Sequence, residues 1–229
     1  MSANPKKAAG DRAAGYVENG MIVGLGTGST AMFAIRRLGK RLRAGLRIQG
    51  VPTSEQSRHL AEAEGIPLAD LAVLDRVDVT IDGADEVDPA FNLIKGGGGA
   101  LLREKIVASI SSREIIVVDE DKLKNRLGDF PLPVEVVAFG WQILKKRLET
   151  LGCEARLRSS GQAPFVTDNG NLVLDCSFGE IEDPARLEQQ VNGICGVVEC
   201  GLFVGLAHRI VVGKSDGTCT ELDRPGTAW

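Results

Sequence analysis

Short apolar runs alternate with longer amphipathic segments along the first half of the chain. The apolar runs, four or five residues each, predict buried strands at 21–25, 48–52, 77–81 and 115–118. Capping signals such as Ser54 before a helix and Gly65 after it predict helices at 5–18, 30–43, 54–65 and 100–111. Strands that alternate with helices in this rhythm predict an α/β fold with a doubly wound, mostly parallel sheet.

The pattern changes after Pro131-Leu132-Pro133. A strand at 134–139, a helix at 141–151, a hairpin of strands 165–167 and 172–174, a helix at 184–192 and a strand at 197–200 are predicted there. The hairpin signal is Asn169-Gly170, because these residues accept the positive φ of a tight turn. The order β-α-β-β-α-β predicts a ferredoxin-like α+β lobe. An apolar segment at 203–212 then returns to the first sheet, so we expect one domain of residues 1–130 plus 204–229, with residues 131–203 inserted.

Composition narrows the class of protein. The chain has 229 residues, a formal net charge of −4 and 43% apolar residues, which is typical of a globular protein and unlike a disordered chain. No apolar run is long enough to span a bilayer, and the first residues do not form a secretory signal. The mild acidity argues against a nucleic-acid partner, so we expect a cytoplasmic protein that binds neither nucleic acid nor membrane. The five cysteines show no zinc or disulfide spacing.

Three segments at the ends of predicted strands carry candidate chemistry, and such ends are where α/β sheets bind ligands. The first is Gly24-Leu25-Gly26-Thr27-Gly28-Ser29-Thr30. Its glycines allow close approach to an anion, and the following helix N-terminus supplies free N–H groups. It lacks the Gly-Lys-Ser/Thr of a nucleotide P-loop, so the residues alone leave open a phosphate site or a tight turn.

The second segment is Asp82-Gly83-Ala84-Asp85-Glu86-Val87-Asp88, with four carboxylates. Such a cluster could bind a divalent cation, act as acid or base, or hydrogen-bond sugar hydroxyls. A solvated acidic turn is the simpler interpretation, and the spacing is not that of a calcium loop.

The third segment is Lys95-Gly96-Gly97-Gly98-Gly99, followed by Ala100-Leu101-Leu102-Arg103-Glu104-Lys105-Ile106. Four consecutive glycines indicate a backbone that curls around something or a flexible hinge. Leu102, Ile106 and Ile110 share one helical face, and this spacing places Glu104 on the opposite, solvent-facing side. Periodicity by itself therefore gives little support for Glu104 as a catalytic base.

Taken together and in this order, the three segments resemble ribose-5-phosphate isomerase of type A. The resemblance continues through Phe130-Pro131-Leu132-Pro133-Val134-Glu135-Val136 and Val166-Thr167-Asp168-Asn169-Gly170-Asn171, so it covers nearly the whole chain. It implies a Rossmann-like lobe with an inserted ferredoxin-like lobe, and interconversion of ribose 5-phosphate and ribulose 5-phosphate through an enediolate in the pentose phosphate pathway. It further implies no metal or organic cofactor, and a homodimer or homotetramer.

The resemblance also assigns roles to residues. It makes Glu104 the proton-shuttling base, with Asp82, Asp85 and Lys95 as further catalytic residues. The substrate-binding residues that it implies are Thr27, Gly28, Ser29, Thr30, Gly83, Ala84, Gly96, Gly97, Gly98 and Lys122. No metal ligand is expected among them.

Two other functions compete with the isomerase. A sugar-phosphate sensing module would keep the loop at 24–30 but would not need Glu104. A metal-dependent sugar-phosphate enzyme would use Asp82, Asp85 and Asp88 as ligands. Coenzyme A transferases and glucosamine-6-phosphate deaminases share the fold that the resemblance implies, but a transferase needs a nucleophilic glutamate and normally a longer chain or a partner.

Overall fold

The computed structural model describes residues 4–227. Its α-helices are Pro5–Ala13 (α1), Ala31–Arg43 (α2), Glu55–Ala63 (α3), Leu101–Ser109 (α4), Trp141–Glu149 (α5) and Pro184–Asn192 (α6). Its strands begin with Ile22–Leu25 (β1), Gln49–Pro52 (β2), Val79–Gly83 (β3), Glu86–Val87 (β4), Leu93–Ile94 (β5), Glu114–Asp119 (β6), Leu132–Val136 (β7) and Glu154–Leu157 (β8). The remaining strands are Ser159–Ser160 (β9), Ala163–Pro164 (β10), Leu172–Ser177 (β11), Val197–Cys200 (β12), Leu202–Phe203 (β13), Arg209–Gly213 (β14) and Cys219–Asp223 (β15).

The described residues of Met1–Ala84, Arg103–Lys122 and Leu206–Trp229 form one compact unit. Its sheet has the strand order β15-β14-β6-β3-β1-β2. All neighbouring strands are parallel except β15, which pairs antiparallel with β14 at the edge. The chain moves from β1 to β2 on one side and then to β3 on the other, so the carboxyl ends of β1 and β3 form a topological switch point. The predicted doubly wound sheet is confirmed.

Helix α1 packs against α2 and against strands β6 and β14 of this sheet. Small side chains make the contact close: a Cβ on Gly10 would lie 2.8 Å from the backbone nitrogen of Ala34. The main core lies between these helices and the apolar face of the sheet, and includes Val23, Ile81 and Ile115. Helix α1 is shorter than predicted, because residues 14–16 continue as a 3₁₀ turn.

The second compact unit comprises Asp85–Leu102 and Leu123–Gly205. Its antiparallel sheet has the order β12-β7-β11-β8, and α5 and α6 supply the crossovers in the chain order β7-α5-β8-β11-α6-β12. This arrangement confirms the predicted ferredoxin-like lobe. A smaller antiparallel sheet, β13-β5-β4, belongs to the same unit. The domain limits at 131 and 203 stay a prediction; segment 85–102 groups with this unit because β4 and β5 pair with β13.

One predicted element of this unit is wrong. The turn at Asn169-Gly170 forms, with Gly170 at φ +79°. However, Leu172 pairs with the preceding segment only through one bridge, to Val166, and the hairpin partner of β11 is β8. The backbone N–H of Phe165 donates instead to the Arg158 carbonyl at 2.9 Å.

Across residues 4–227, none of the helices combines the length and the apolar character needed to cross a membrane. Ala228 and Trp229, at the end of the tail that the sequence leaves without a role, lie outside the described residues.

Candidate active site

The switch point of the first unit holds the glycine-rich loop and one carboxylate. The side chain of Asp82, fully buried at the end of β3, accepts hydrogen bonds at Oδ1 from the backbone N–H of Thr27 at 3.0 Å and of Gly83 at 2.7 Å. These bonds tie the loop after β1 to the end of β3, so two of the predicted segments meet. Gly83 and Ala84, which follow Asp82, are half-buried.

Gly26 makes this approach possible. A Cβ at this position would lie 2.3 Å from Asp82 Oδ1 and 2.5 Å from Asp82 Cα, closer than any real contact. The glycine is therefore required by the carboxylate beside it. Gly28 serves a different purpose, because its φ of +104° turns the chain into the first turn of α2.

Thr27 stabilises the loop through buried hydrogen bonds. Its hydroxyl donates to Ser54 Oγ at 2.7 Å and lies 2.9 Å from Thr53 Oγ1. Ser54 also caps α3, as predicted, by accepting from the Ser57 N–H. Both polar groups of Thr27 are thus held within the protein, and its contact with substrate stays a prediction.

The exposed end of the loop is Ser29, followed by the buried Thr30 before α2. Sequence reasoning missed the cation beside it: Lys6 Nζ donates to Ser29 Oγ at 3.0 Å and lies 4.0 Å from Asp119 Oδ2. No signal in the sequence links Lys6 to a loop 23 residues away, since the approach depends on how α1 packs. A lysine, a serine hydroxyl and the amino end of a 13-residue helix make a suitable anion site.

Glu104 lies in the first unit, on α4, and the prediction that it faces solvent is wrong. Its side chain is 5% exposed, whereas Ile106 is 45% exposed. The buried positions of α4 in this unit are Glu104, Val107 and Ala108. Its neighbour Arg103 reaches Glu55 of α3 at 2.7 Å, and this bond lowers the pKa of the Glu55 carboxyl. The helix therefore puts a carboxylate where periodicity predicts a polar surface.

Lys122, the remaining candidate of the first unit, ends the short 3₁₀ turn 120–122 that directly follows β6. Because β6 neighbours β3 in the parallel sheet, Lys122 follows a strand end on the same edge as Asp82. Its side chain is half-buried.

In the second unit, the turn formed by Gly96, Gly97, Gly98 and Gly99 (the glycine turn) is hydrogen-bonded to Asp85. The backbone N–H of Gly97 donates to Asp85 Oδ2 at 2.8 Å, and the N–H of Gly99 donates to the carbonyl of Gly96 at 2.9 Å. Gly96 is buried at φ +102°, while Gly97 and Gly98 are exposed. The turn is thus a defined structure with accessible backbone.

Lys95 precedes this turn and is 2% exposed. Its backbone N–H donates to the Gly201 carbonyl at 2.8 Å, and its Nζ lies 5.3 Å from the centre of the Phe203 ring. Cation–π contact of this kind stabilises a buried ammonium.

The acidic cluster does not act as a single group. Glu86 is buried, and its two oxygens accept the backbone N–H groups of Gly128 and Phe130, each at 2.6 Å. Asp88 Oδ1 accepts the N–H groups of Ala90 and Asn92 within its own turn. Asp82 and Asp85 hold backbone N–H groups as well, so hydrogen bonding alone does not distinguish these two candidates from Glu86 and Asp88.

Comparison with known proteins shows to which family the chain is similar. Residues 49–217 match the family model described as ribose 5-phosphate isomerase A (phosphoriboisomerase A). Ribose-5-phosphate isomerase A of Bacillus mycoides is 50% identical over 93% of this chain and 97% of its own length. The protein of the same name from Gloeobacter violaceus is 56% identical over 93% of both chains.

Solved structures give the same result. The ribose 5-phosphate isomerase A of Methanocaldococcus jannaschii superposes with a TM-score of 0.91 at 40% identity, over 95% of this chain and 97% of that one. A D-ribose-5-phosphate isomerase in complex with phospho-erythronic acid superposes with a TM-score of 0.94 at 41% identity, over 98% of this chain and 100% of that one. The chain belongs to the ribose 5-phosphate isomerase A family.

Proposed function

We propose that the chain interconverts ribose 5-phosphate and ribulose 5-phosphate, with Glu104 as the base. The observation that carries this proposal is the burial of the Glu104 carboxylate, within a segment that matches the family. A sensing module would not need a carboxylate there, and burial of a charged side chain is costly unless hydrogen bonds or paired charges offset its lost hydration.

The isomerisation moves two protons, one from C2 to C1 and one from O2 to O1. After ring opening, Glu104 removes the proton from C2 of the open-chain aldose, and the electron pair forms a C1–C2 double bond while O1 takes up negative charge. The same carboxyl group then gives its proton to C1 of the cis-enediolate, and the O2 proton passes to O1, so that O2 becomes the ketone and O1 a hydroxyl. One carboxylate can do both transfers if it faces C1 and C2 from one side.

The remaining residues bind and polarise the substrate. We propose that Asp82 and Asp85 hold sugar hydroxyls, assist ring opening and move the hydroxyl protons. Lys95 and the backbone of Gly96, Gly97 and Gly98 would stabilise the enediolate charge, because preorganised donors are most effective against charge that develops during the reaction. Lys122 would bind a substrate oxygen.

The phosphate group would lie at the loop between β1 and α2. Gly28, Ser29 and Thr30 offer backbone N–H groups and hydroxyls at the start of α2, and Lys6 supplies a full positive charge beside Ser29. Thr27 would act mainly by holding this loop on Asp82.

We propose further that the chain forms a homodimer or homotetramer in the cytoplasm. The ferredoxin-like lobe exposes an apolar patch between β7 and α5, in which Phe139 is 92% and Ile143 61% exposed. Large apolar side chains exposed to this extent often mark an interface. The phospho-erythronic acid complex of the structural relative supports a sugar-phosphate ligand.

The direct test is conversion of ribose 5-phosphate to ribulose 5-phosphate by the purified chain with excess chelator. Turnover under chelation is expected. Activity that vanishes with chelator and returns with magnesium would move the aspartates into a metal site, and no turnover in either condition would favour a sensor.

A further inference from the structure

An arginine outside the residues discussed so far holds the glycine turn of the second unit. Arg158 directly follows β8, and its side chain is 14% exposed. Its Nε donates to Asp175 Oδ2 at 3.0 Å and its Nη2 to Asp175 Oδ1, which is a bidentate pair. Its backbone is fixed as well, since its N–H donates to the Val173 carbonyl at 2.9 Å.

The remaining nitrogen of the guanidinium binds the turn itself. Nη1 donates to the carbonyl oxygen of Gly96 at 2.8 Å and to that of Gly97 at 3.2 Å. The guanidinium carbon lies 5.7 Å from the centre of the Phe165 ring, and that ring packs where a Cβ on Gly99 would be. Arg158 and Phe165 together define the shape of a segment that four glycines would otherwise leave flexible.

The geometry of the peptide bond determines in which direction the N–H groups of this turn point. In a trans peptide the carbonyl and the following N–H point in opposite directions, and the described residues contain no cis peptide. The carbonyl of Gly96 binds Arg158, and the N–H of Gly97 on the same peptide binds Asp85 Oδ2 at 2.8 Å. The guanidinium and the carboxylate thus hold opposite edges of one peptide plane.

The peptide between Gly97 and Gly98 has the same trans geometry. Because the Gly97 carbonyl also faces Arg158, the N–H of Gly98 is directed away from the guanidinium. The Gly97 N–H binds Asp85 Oδ2, so of these two donors it is the Gly98 N–H that the turn can direct toward a substrate oxygen. A cation on the carbonyl side also polarises both peptides and makes their N–H groups stronger donors.

We propose that Arg158 is a positioning residue for the isomerisation: by holding the carbonyls of Gly96 and Gly97, it orients Asp85 and directs the Gly98 N–H toward the oxyanion of the enediolate. This inference rests on the proposed function. Asp175 occupies the other edge of the guanidinium, so Arg158 acts through the turn and does not bind the substrate. Loss of Arg158 therefore lowers kcat more than it raises KM.

The test compares substitutions of Arg158 with a matched control two residues earlier in the chain, on β8. Arg156 pairs with Glu154 at 2.7 Å, but its side chain is 77% exposed, and within residues 4–227 it forms no hydrogen bond or ion pair with the turn. R158M is expected to lower kcat about 100-fold, the effect of losing an oriented oxyanion donor, with KM changed less than about threefold. R158K should recover little, because an ammonium cannot form the bidentate pair and reach both carbonyls. R156M should keep kcat within about twofold.

Two further readouts separate positioning from a structural role. The inhibition constant of phospho-erythronic acid, whose carboxylate stands in for the enediolate oxygens, should rise in parallel with the loss of kcat/KM. Hydrogen exchange of the peptide that covers residues 96–99 should become faster, while urea unfolding stays near the wild-type midpoint. D175N, which keeps Arg158 but weakens its anchor, should lower kcat about tenfold.

The proposal is wrong if R158M and R158K retain kcat within about twofold, or if they raise KM at unchanged kcat. If R158M fails to fold, the same criteria apply to R158K and D175N. Absence of turnover in the wild-type chain would contradict the proposed function itself, whereas wild-type turnover with insensitive Arg158 variants would contradict only this inference.

Discussion

Glu104 is a carboxylate at a position where its helix is otherwise apolar and buried. The spacing of Leu102, Ile106 and Ile110 predicts the wrong buried face, since Ile106 is 45% exposed and Glu104 is 5% exposed. Hydrophobic periodicity assumes that buried positions are apolar, and that assumption fails where a protein buries a charge for chemistry. For this residue, resemblance to a family predicts more than the pattern of the helix.

Substitution of Glu104 by glutamine is expected to lower kcat by at least about 100-fold, because the amide cannot accept the C2 proton. Steady-state assays with ribose 5-phosphate give kcat. Urea unfolding measured with and without inorganic phosphate shows whether the variant still binds phosphate. Substitution of the exposed Glu62 on α3 by glutamine is the control. A Glu104→Gln enzyme with near-normal turnover would remove the base from the mechanism.

Lys6 illustrates a contact that appears only after folding. Substitution K6M should raise KM for ribose 5-phosphate by about tenfold or more, because hydrogen bonds to charged groups contribute about 1.5–3 kcal/mol. K7M is the matched control, since Lys7 is the next residue of α1 and pairs with Asp11. An equal change of KM in both variants would indicate only a loss of overall positive charge.

At the scale of the elements, close backbone approach explains why the loop after β1 contains glycine. G26A would place a Cβ 2.3 Å from Asp82 Oδ1, so we expect a loss of about 1–3 kcal/mol in the free energy of unfolding and a fall in kcat as Asp82 moves. Denaturant unfolding and kinetics measure the two effects. G15A is the control, because nothing lies within 4 Å of a Cβ at Gly15. Unchanged stability and activity in G26A would contradict the tight contact.

Most elements of both units could be predicted from the sequence, because buried parallel strands read as apolar runs and because Ser54 caps its helix as expected. Strand β15 was not predicted, since Cys219–Asp223 is an edge strand of mixed polarity. The hairpin partner of β11 could not be found either, because the Asn169-Gly170 signal is local and strand pairing depends on register across the lobe. Of the candidate site, the motifs put Asp82 and the loop after β1 at strand ends, where the structure shows them in contact, while the contacts of Lys6 and Arg158 come from packing between distant segments.

The oligomeric state of the whole molecule can be tested directly. Sedimentation of the wild-type chain is expected to give a dimer or tetramer. Replacement of Phe139 and Ile143 by serine should shift it to a smaller species, since both side chains are largely exposed in the isolated chain. Replacement of Val73, 78% exposed in the first unit, is the control. A monomeric wild type would contradict the proposed assembly.

Isomerisation of ribose 5-phosphate by this chain depends on proton transfer through an enediolate. The most direct test is the reaction in D₂O with excess chelator, followed by NMR of the sugar phosphates. We expect deuterium at C1 of ribulose 5-phosphate or at C2 of recovered ribose 5-phosphate, and neither product nor exchange with the Glu104→Gln enzyme. No product from the wild-type chain, or product and exchange at the wild-type rate with the Glu104→Gln enzyme, would contradict this mechanism.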